Sequence, residues 1–353
     1  MSGRGQQRYG ETAIQAPSAN ARVLPAPVAA GRPQADPAQV ILAEIAAMWH
    51  YAREAGIAGE LQALHRPRLW RSLLATAVDW SLIILAMAAV VAYGWQAVLP
   101  ALLVTGNRQR ALGNILHDAS HRSFDVHRRR SAWFANLLFC WPLWVSMPLY
   151  RGDHNRHHRH LGDPARDPDF IQDESRLHRG WLAIWLDQVF SLRMFLISVL
   201  SHLARMDGRS RLCVAAWWGL VLAGVALSTA PADALMVLML WIAARATSFH
   251  VITSFREISD HVGLIRGGLI RFSRNHPFGG LAAQLFHPHN NGYHLLHHLM
   301  PGLPFHAMPR AHTLLLGWRP YGEGEQCQGY FFGERSAVRS WERRWTASAA
   351  VSG

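Results

Sequence analysis

The chain has 353 residues, half of them hydrophobic, and its 35 basic residues, all arginine, outnumber 23 acidic ones for a formal charge of +12. That balance calls for an anionic neighbour such as lipid headgroups or an acidic protein; long apolar segments and the lack of any nucleic-acid-binding motif exclude nucleic acid. Cys140, Cys213 and Cys327 are widely spaced with no CxxC pattern, which excludes a disulfide framework and leaves them as small apolar residues in a reducing compartment.

Residues 1–45 are rich in Ala, Pro, Gly and Gln with no long apolar core. They read as a disordered cytoplasmic tail, not a secretory signal. Between Arg71 and Arg108 the only charge is Asp79, and between Arg211 and Arg245 it is Asp233. A spanning helix needs about 20 apolar residues, so each region predicts two spans joined by a short turn, at 72–92 and 97–116 and at 212–230 and 234–253. The turns "AYGWQ" and "STAPADA" carry no arginine. The other ends do: Arg66, Arg68 and Arg71; Arg108, Arg110 and Arg122; Arg205, Arg209 and Arg211; Arg256. Positive residues stay inside, which predicts two hairpins with both termini and the middle region cytoplasmic, in an inner membrane if the source is bacterial.

Residues 132–150 are long enough to span once, but Pro142 and Pro148 break a helix there, so a re-entrant or interfacial segment is expected. Residues 181–205 place Asp187, Ser191, Ser198, His202 and Arg205 at near-helical spacing, which predicts one amphipathic helix on the membrane surface. Residues 46–320 then form the membrane domain, and 321–353 a C-terminal tail.

Histidine is the anomaly, with 21 copies. Three clusters stand out: "HDASH" (His117, His121), "HNRHH" (His154, His157, His158) and "HLLHH" (His294, His297, His298). Residues three or four apart share a helix face, so each cluster aims its rings one way, and the predicted topology lets all eight meet on one side of the membrane. Neutral imidazole suits iron, zinc, copper and nickel. One zinc takes about four ligands, so eight imidazoles suggest two metals. "HDASH" alone resembles a zinc-protease HExxH, but has aspartate in second place and leaves two clusters unexplained.

"HDASH", "HNRHH" followed by "DPARDPDF", and "NNGYHLLHHLMPGLP" resemble the three histidine boxes of the integral-membrane fatty acid desaturases and their hydroxylase relatives, over residues 70–315. The resemblance implies an all-α membrane fold, four transmembrane helices under a cytoplasmic helical cap, holding a non-haem centre of two iron ions. It also implies one more metal-binding histidine after the fourth span. "REISDH" supplies His261, with His250 three turns earlier as competitor. Asn290 and Asn291 are candidates to support the ligands. Asp118, Asp167 and Asp169 either orient ring N–H groups or cap helices.

His127, His160, His178, His287, His289, His306 and His312 do not repeat the spacing and read as surface or supporting residues. "HPFGG" at 276–280 is similar to the haem-binding HPGG of cytochrome b5, but Phe278 interrupts it and no acidic haem domain surrounds it. With no donor domain in view, electrons are expected from an external ferredoxin or rubredoxin drawn to the basic face.

The expected activity is oxygen-dependent oxidation of a fatty acyl chain, a desaturation first, with lipid hydroxylation or decarboxylation to a terminal alkene as alternatives. An apolar tunnel would position the chain, with Arg151, Arg156, Arg256 and Arg274 as head-group contacts. A membrane metal carrier or sensor is the alternative from another class, and it would place metal-binding residues inside the spans.

Overall fold

A computed structural model describes residues 36–342, and these are mostly helical. Helices α1 (Pro37–Glu54) and α2 (Ala58–Leu64) precede two long apolar helices, α3 (Leu69–Tyr93) and α4 (Val98–Ser120). Next come α5 (Arg128–Ala135), α6 (Met147–Arg159), α7 (Trp181–Val189) and α8 (Leu192–Arg205). The second apolar pair is α9 (Gly208–Ser228) and α10 (Pro231–Ala244), the latter running through a π turn at Arg245–Phe249 into α11 (His250–His261). Short helices α12 (Leu269–Phe272), α13 (Leu281–Phe286), α14 (His294–Leu299), α15 (Met308–Leu315) and α16 (Arg319–Gly322) follow.

Three stretches are long and apolar enough to cross a membrane: Leu69–Ser120, Gly208–Ser228 and Pro231–His261. A bent pair, Trp181–Val189 with Leu192–Arg205, would add a fourth. The first stretch folds back at Gly94, whose φ of +66° lies in the left-handed region glycine enters freely. The return is fixed by Asp79 of α3, which accepts from Arg108 of α4 at 3.0 Å. Large apolar side chains stay exposed along these helices, among them Leu74, Leu85, Leu103, Leu220 and Leu235. Such a surface belongs in hydrocarbon rather than water.

Aromatic packing ties the stem together. Trp80 of α3 stacks on Trp241 of α10 with ring centres 5.8 Å apart, and Trp218 of α9 meets Trp241 edge-on at 5.3 Å. Gly106 of α4 lies where a Cβ would fall 2.6 Å from the backbone nitrogen of Phe249, so α4 touches the π turn backbone to backbone. A second core gathers α1, α2, α14 and α15 around Met48, Leu61, Leu295 and Leu315. A third packs Phe255 and Ile258 of α11 against Tyr330, Val338 and Trp341.

Several boundaries differ from expectation. The tail predicted over 1–45 gives way to helix at Pro37, which Asp36 caps by accepting from Ala38 N; residues 1–35 lie outside those described. The segment expected as a C-terminal tail is built into the core as far as residue 342: Tyr321 and Trp341 are fully buried, and Glu325–Gln326 pairs in parallel with Arg274–Asn275. Single aromatic residues without periodicity gave no sign of this. The helix expected over 181–205 is two helices bent by 50°, because Ser191 caps α8 by accepting from Met194 N. Residues 132–150 form no continuous helix: α5 ends in a π turn at Asn136–Cys140 and α6 starts afresh at Met147.

The backbone contact at Gly106 sets the first prediction. Gly106→Ala should cost about 1–3 kcal/mol through overpacking, read as a lower thermal midpoint in detergent. An unchanged midpoint would show that α4 and the π turn can separate without loss.

Candidate metal centre

The three boxes reach one place because four elements aim their last turns at it. His117 and His121 sit at the end of α4, where Arg151 of α6 donates to the carbonyls of Ser120 and Ala119 and holds the two helices together. His154, His157 and His158 occupy the end of α6, His261 the last residue of α11, and His294, His297 and His298 all of α14's inner face. The six-residue α14 cannot stand alone. Asn275, fully buried, anchors it by accepting from Leu296 N at 3.1 Å.

The nine predicted histidines fall into two groups. His117, His121, His154, His158 and His297 form one, and His157, His261, His294 and His298 the other; within each, the ligand atoms lie within 4.8 Å of one another. In the first, Nε2 of His297 is 3.0 Å from that of His117 and 2.9 Å from that of His158, and Nε2 of His154 is 2.8 Å from that of His121 and 3.0 Å from that of His158. In the second, Nε2 of His294 is 2.8 Å from that of His261 and 3.0 Å from that of His298.

An imidazole nitrogen carries either a proton or a lone pair. A chain of contacts through shared nitrogens therefore cannot be satisfied by hydrogen bonding alone. A cation satisfies all of them together. Metal–nitrogen bonds of about 2.1 Å set at right angles give N···N edges of about 3.0 Å, so the residues present fit metal ions in both groups.

Burial, reinforced by the neighbouring rings, holds His154, His158, His294, His297 and His298 well below the usual histidine range. Burial also pulls His121 down to about 4. Neutral rings with free lone pairs are the metal-binding form. His157 differs: burial, the largest single influence, lowers it, but the hydrogen bond to Asp167 together with the charges of Asp167, Asp169 and Glu257 leaves it raised.

Side chains behind the rings orient them. Asp167 Oδ1 accepts from His157 Nδ1 at 2.9 Å, and the Phe272 carbonyl accepts from His261 Nδ1 at 2.6 Å. Asp260, which the sequence reading missed, lies 3.4 Å from His294 Nδ1 and 3.5 Å from His287 Nε2. His287 in turn meets the Tyr330 hydroxyl at 2.7 Å. Asp260 sits one residue before His261, and that adjacency was the signal available. With His276 and His287 it forms a third buried group of potential ligands. His276 and His287 stack at 4.6 Å and nearly parallel, ring on ring.

Other candidates have different work. His250, the competitor of His261, is taken up by Ser198 Oγ at 2.6 Å and the Val189 carbonyl at 2.9 Å. Asp118 accepts from Phe305 N at 2.8 Å, with His117 Nδ1 at 3.8 Å, so it secures the loop after α14. Asn290 donates to the Phe305 carbonyl, and Asn291 accepts from Arg256. Asp169 Oδ2 is 3.9 Å from His157 Nδ1. His289 meets Asp79 Oδ2 at 2.7 Å, joining the box-three loop to the Arg108–Asp79 pair in the stem.

Two of the four head-group arginines are corrected. Arg274 is fully buried and donates to the carbonyls of Ser259 and Val262 at the end of α11. Arg151 is committed to the end of α4. Arg156 and Arg256 do line the cavity that reaches the histidines.

The family model for fatty acid desaturase matches residues 93–324, across all three boxes and His261. The chain belongs to the fatty acid desaturase family. It is also similar to the dihydrorhizobitoxine desaturase of Bradyrhizobium elkanii, 25% identical over 261 residues, 67% of this chain and 73% of that protein. Membership supports an oxidoreductase of desaturase or oxidase type, and the family implies a lipid substrate and membrane association. The histidine groups of this desaturase-family protein suit its metal cofactor.

Removing a group that orients a ligand should weaken metal binding by about 10–100-fold. Asp167→Asn should therefore lower retained metal after dialysis against a chelator, while His178→Ala leaves it unchanged. Equal retention in all three proteins would detach Asp167 from the metal groups.

Proposed function

We propose that this protein is an oxygen-dependent membrane desaturase with two non-haem irons, one held by His117, His121, His154, His158 and His297, the other by His157, His261, His294 and His298. The observation that carries this reading is the convergence of ring nitrogens from three separate boxes and the end of α11 into two adjacent groups. Two irons held there supply the reduction of dioxygen that drives removal of hydrogen from an unactivated C–H bond.

The chain's own residues make that chemistry specific. Burial keeps most of the imidazoles neutral, and Asp167 and the Phe272 carbonyl fix the rings of His157 and His261, with Asp260 close behind His294. Glycine at position 113, one turn before His117 on the cavity wall, leaves space for a substrate. Desaturation balances as follows: two hydrogens leave adjacent carbons, and with two protons and two electrons they reduce one dioxygen to two waters. The electrons come from an external donor, a small acidic ferredoxin or rubredoxin attracted by the arginine-rich face.

The same reading sets the topology. Hairpins α3–α4 and α9–α10 cross the bilayer, with α11, the boxes and both termini on the cytoplasmic side, as the arginine distribution favours. Desaturation is favoured over hydroxylation and decarboxylation by the relative, which is named as a desaturase.

The test is the purified protein with reduced donor. About two irons per chain and a product lighter by two hydrogens are expected; a product heavier by one oxygen or shorter by one carbon would replace desaturation with the corresponding alternative. Donor-dependent turnover should also fall as salt screens the basic face. Turnover indifferent to ionic strength would remove electrostatic docking from the account.

A further inference from the structure

A cavity of about 410 Å³ lies between α4, α6, α8 and α11 and reaches both histidine groups. A seat for a long acyl chain needs mostly apolar walls with few polar groups. By area this wall is more apolar than polar, but polar side chains from three helices interrupt it. It carries Gln109 and Arg110 from α4, His202 from α8, and Thr253 and Glu257 from α11. Of these, Gln109 Oε1, Arg110 Nε, His202 Nδ1 and Thr253 Oγ1 are buried with no hydrogen-bond partner in the protein. Leaving such atoms unpaired is costly, and it marks this part of the wall as a polar rather than a hydrocarbon surrounding.

The cavity arginines divide sharply. Arg256 is held by Asn291, Glu257 and Asp260; Arg245 donates to the carbonyls of Val199 and Ser198; Arg156 and Arg205 share Asp153. At contact distance Arg110 makes no ion pair or hydrogen bond with any described residue, although the charges of Glu257 and Asp260 reach it from α11. It precedes His117 by seven residues on the same face of α4, about 10 Å along the helix, and Gly113 between them leaves the path open. A single guanidinium suits one planar, singly charged group: its donor fork matches a carboxylate.

We propose that the cavity takes a compact, carboxylate-bearing substrate, anchored by Arg110 and presenting a C–H bond to the histidine groups about 10 Å away. This rests on the reading of the protein as a desaturase and narrows its substrate: the anionic end sits inside the cavity, on the stem side of the metal groups, where a long acyl tail would otherwise run.

The test compares cells producing the full-length protein with cells producing His297→Ala, by mass spectrometry of two extracts, water-soluble acids and total lipids. A new species lighter than its precursor by two hydrogens is expected among the water-soluble acids. The same change confined to acyl lipids overturns the substrate inference and keeps the desaturase reading. A species heavier by one oxygen among the soluble acids keeps the substrate and overturns desaturation. No change in either extract, with iron bound, overturns both.

With the precursor so identified, Arg110→Met should raise KM roughly thirtyfold or more with kcat little changed and iron content intact, as loss of a buried charge partner requires. Arg110→Lys should recover part of the loss. A KM unchanged in Arg110→Met, with the protein folded and iron-loaded, removes Arg110 as the anchor.

Discussion

Nine imidazoles crowded with their nitrogens facing one another constitute the constraint on which the rest of this structure depends. Neutral rings at 2.8–3.0 Å through shared nitrogens lack the protons to bond to one another throughout. Burial disfavours the charged form in most of them, His157 with its carboxylate neighbours excepted. Only a positive ion placed among the lone pairs makes both groups favourable at once. The surrounding scaffold can be understood as what is needed to hold that arrangement against its own repulsion.

The scaffold does so by ending helices at the centre. α4 and α6 deliver His117, His121, His154, His157 and His158 from their final turns, and Arg151 clamps the two ends together. α11 delivers His261 as the continuation of an apolar helix, with the π turn at Arg245–Phe249 seated on Gly106 of α4. Asp79, Arg108 and His289 join the stem to the loop before α14, so the position of box three depends on the hairpin that carries box one. Metal binding and helix packing are thus coupled, and loss of either should loosen the other.

Much of this was legible in the sequence because it is periodic. Histidines three and four apart, and apolar runs free of arginine, are local patterns, and the helices and the nine clustered histidines follow them closely. What escaped is long-range and singular. Arg110 read as one more positive residue near a span end, yet α4 continues to Ser120 and places it on the cavity wall. Arg274 read as a head-group contact, but it closes the end of α11. Tyr330 and Trp341 lie in a segment expected as tail, and only the folded chain reveals that they support His287 and α11. Asp260 had a local sign, its place beside His261, but its contacts with His294 and His287 cross more than two dozen residues of chain.

The central claim, that two all-imidazole groups each hold an iron, is tested most directly by X-ray absorption at the iron edge together with metal counting on the purified full-length protein. The account predicts about two irons per chain and a first shell dominated by imidazole nitrogen near 2.1 Å. A single metal per chain, or a first shell dominated by sulfur or carboxylate oxygen, would contradict it.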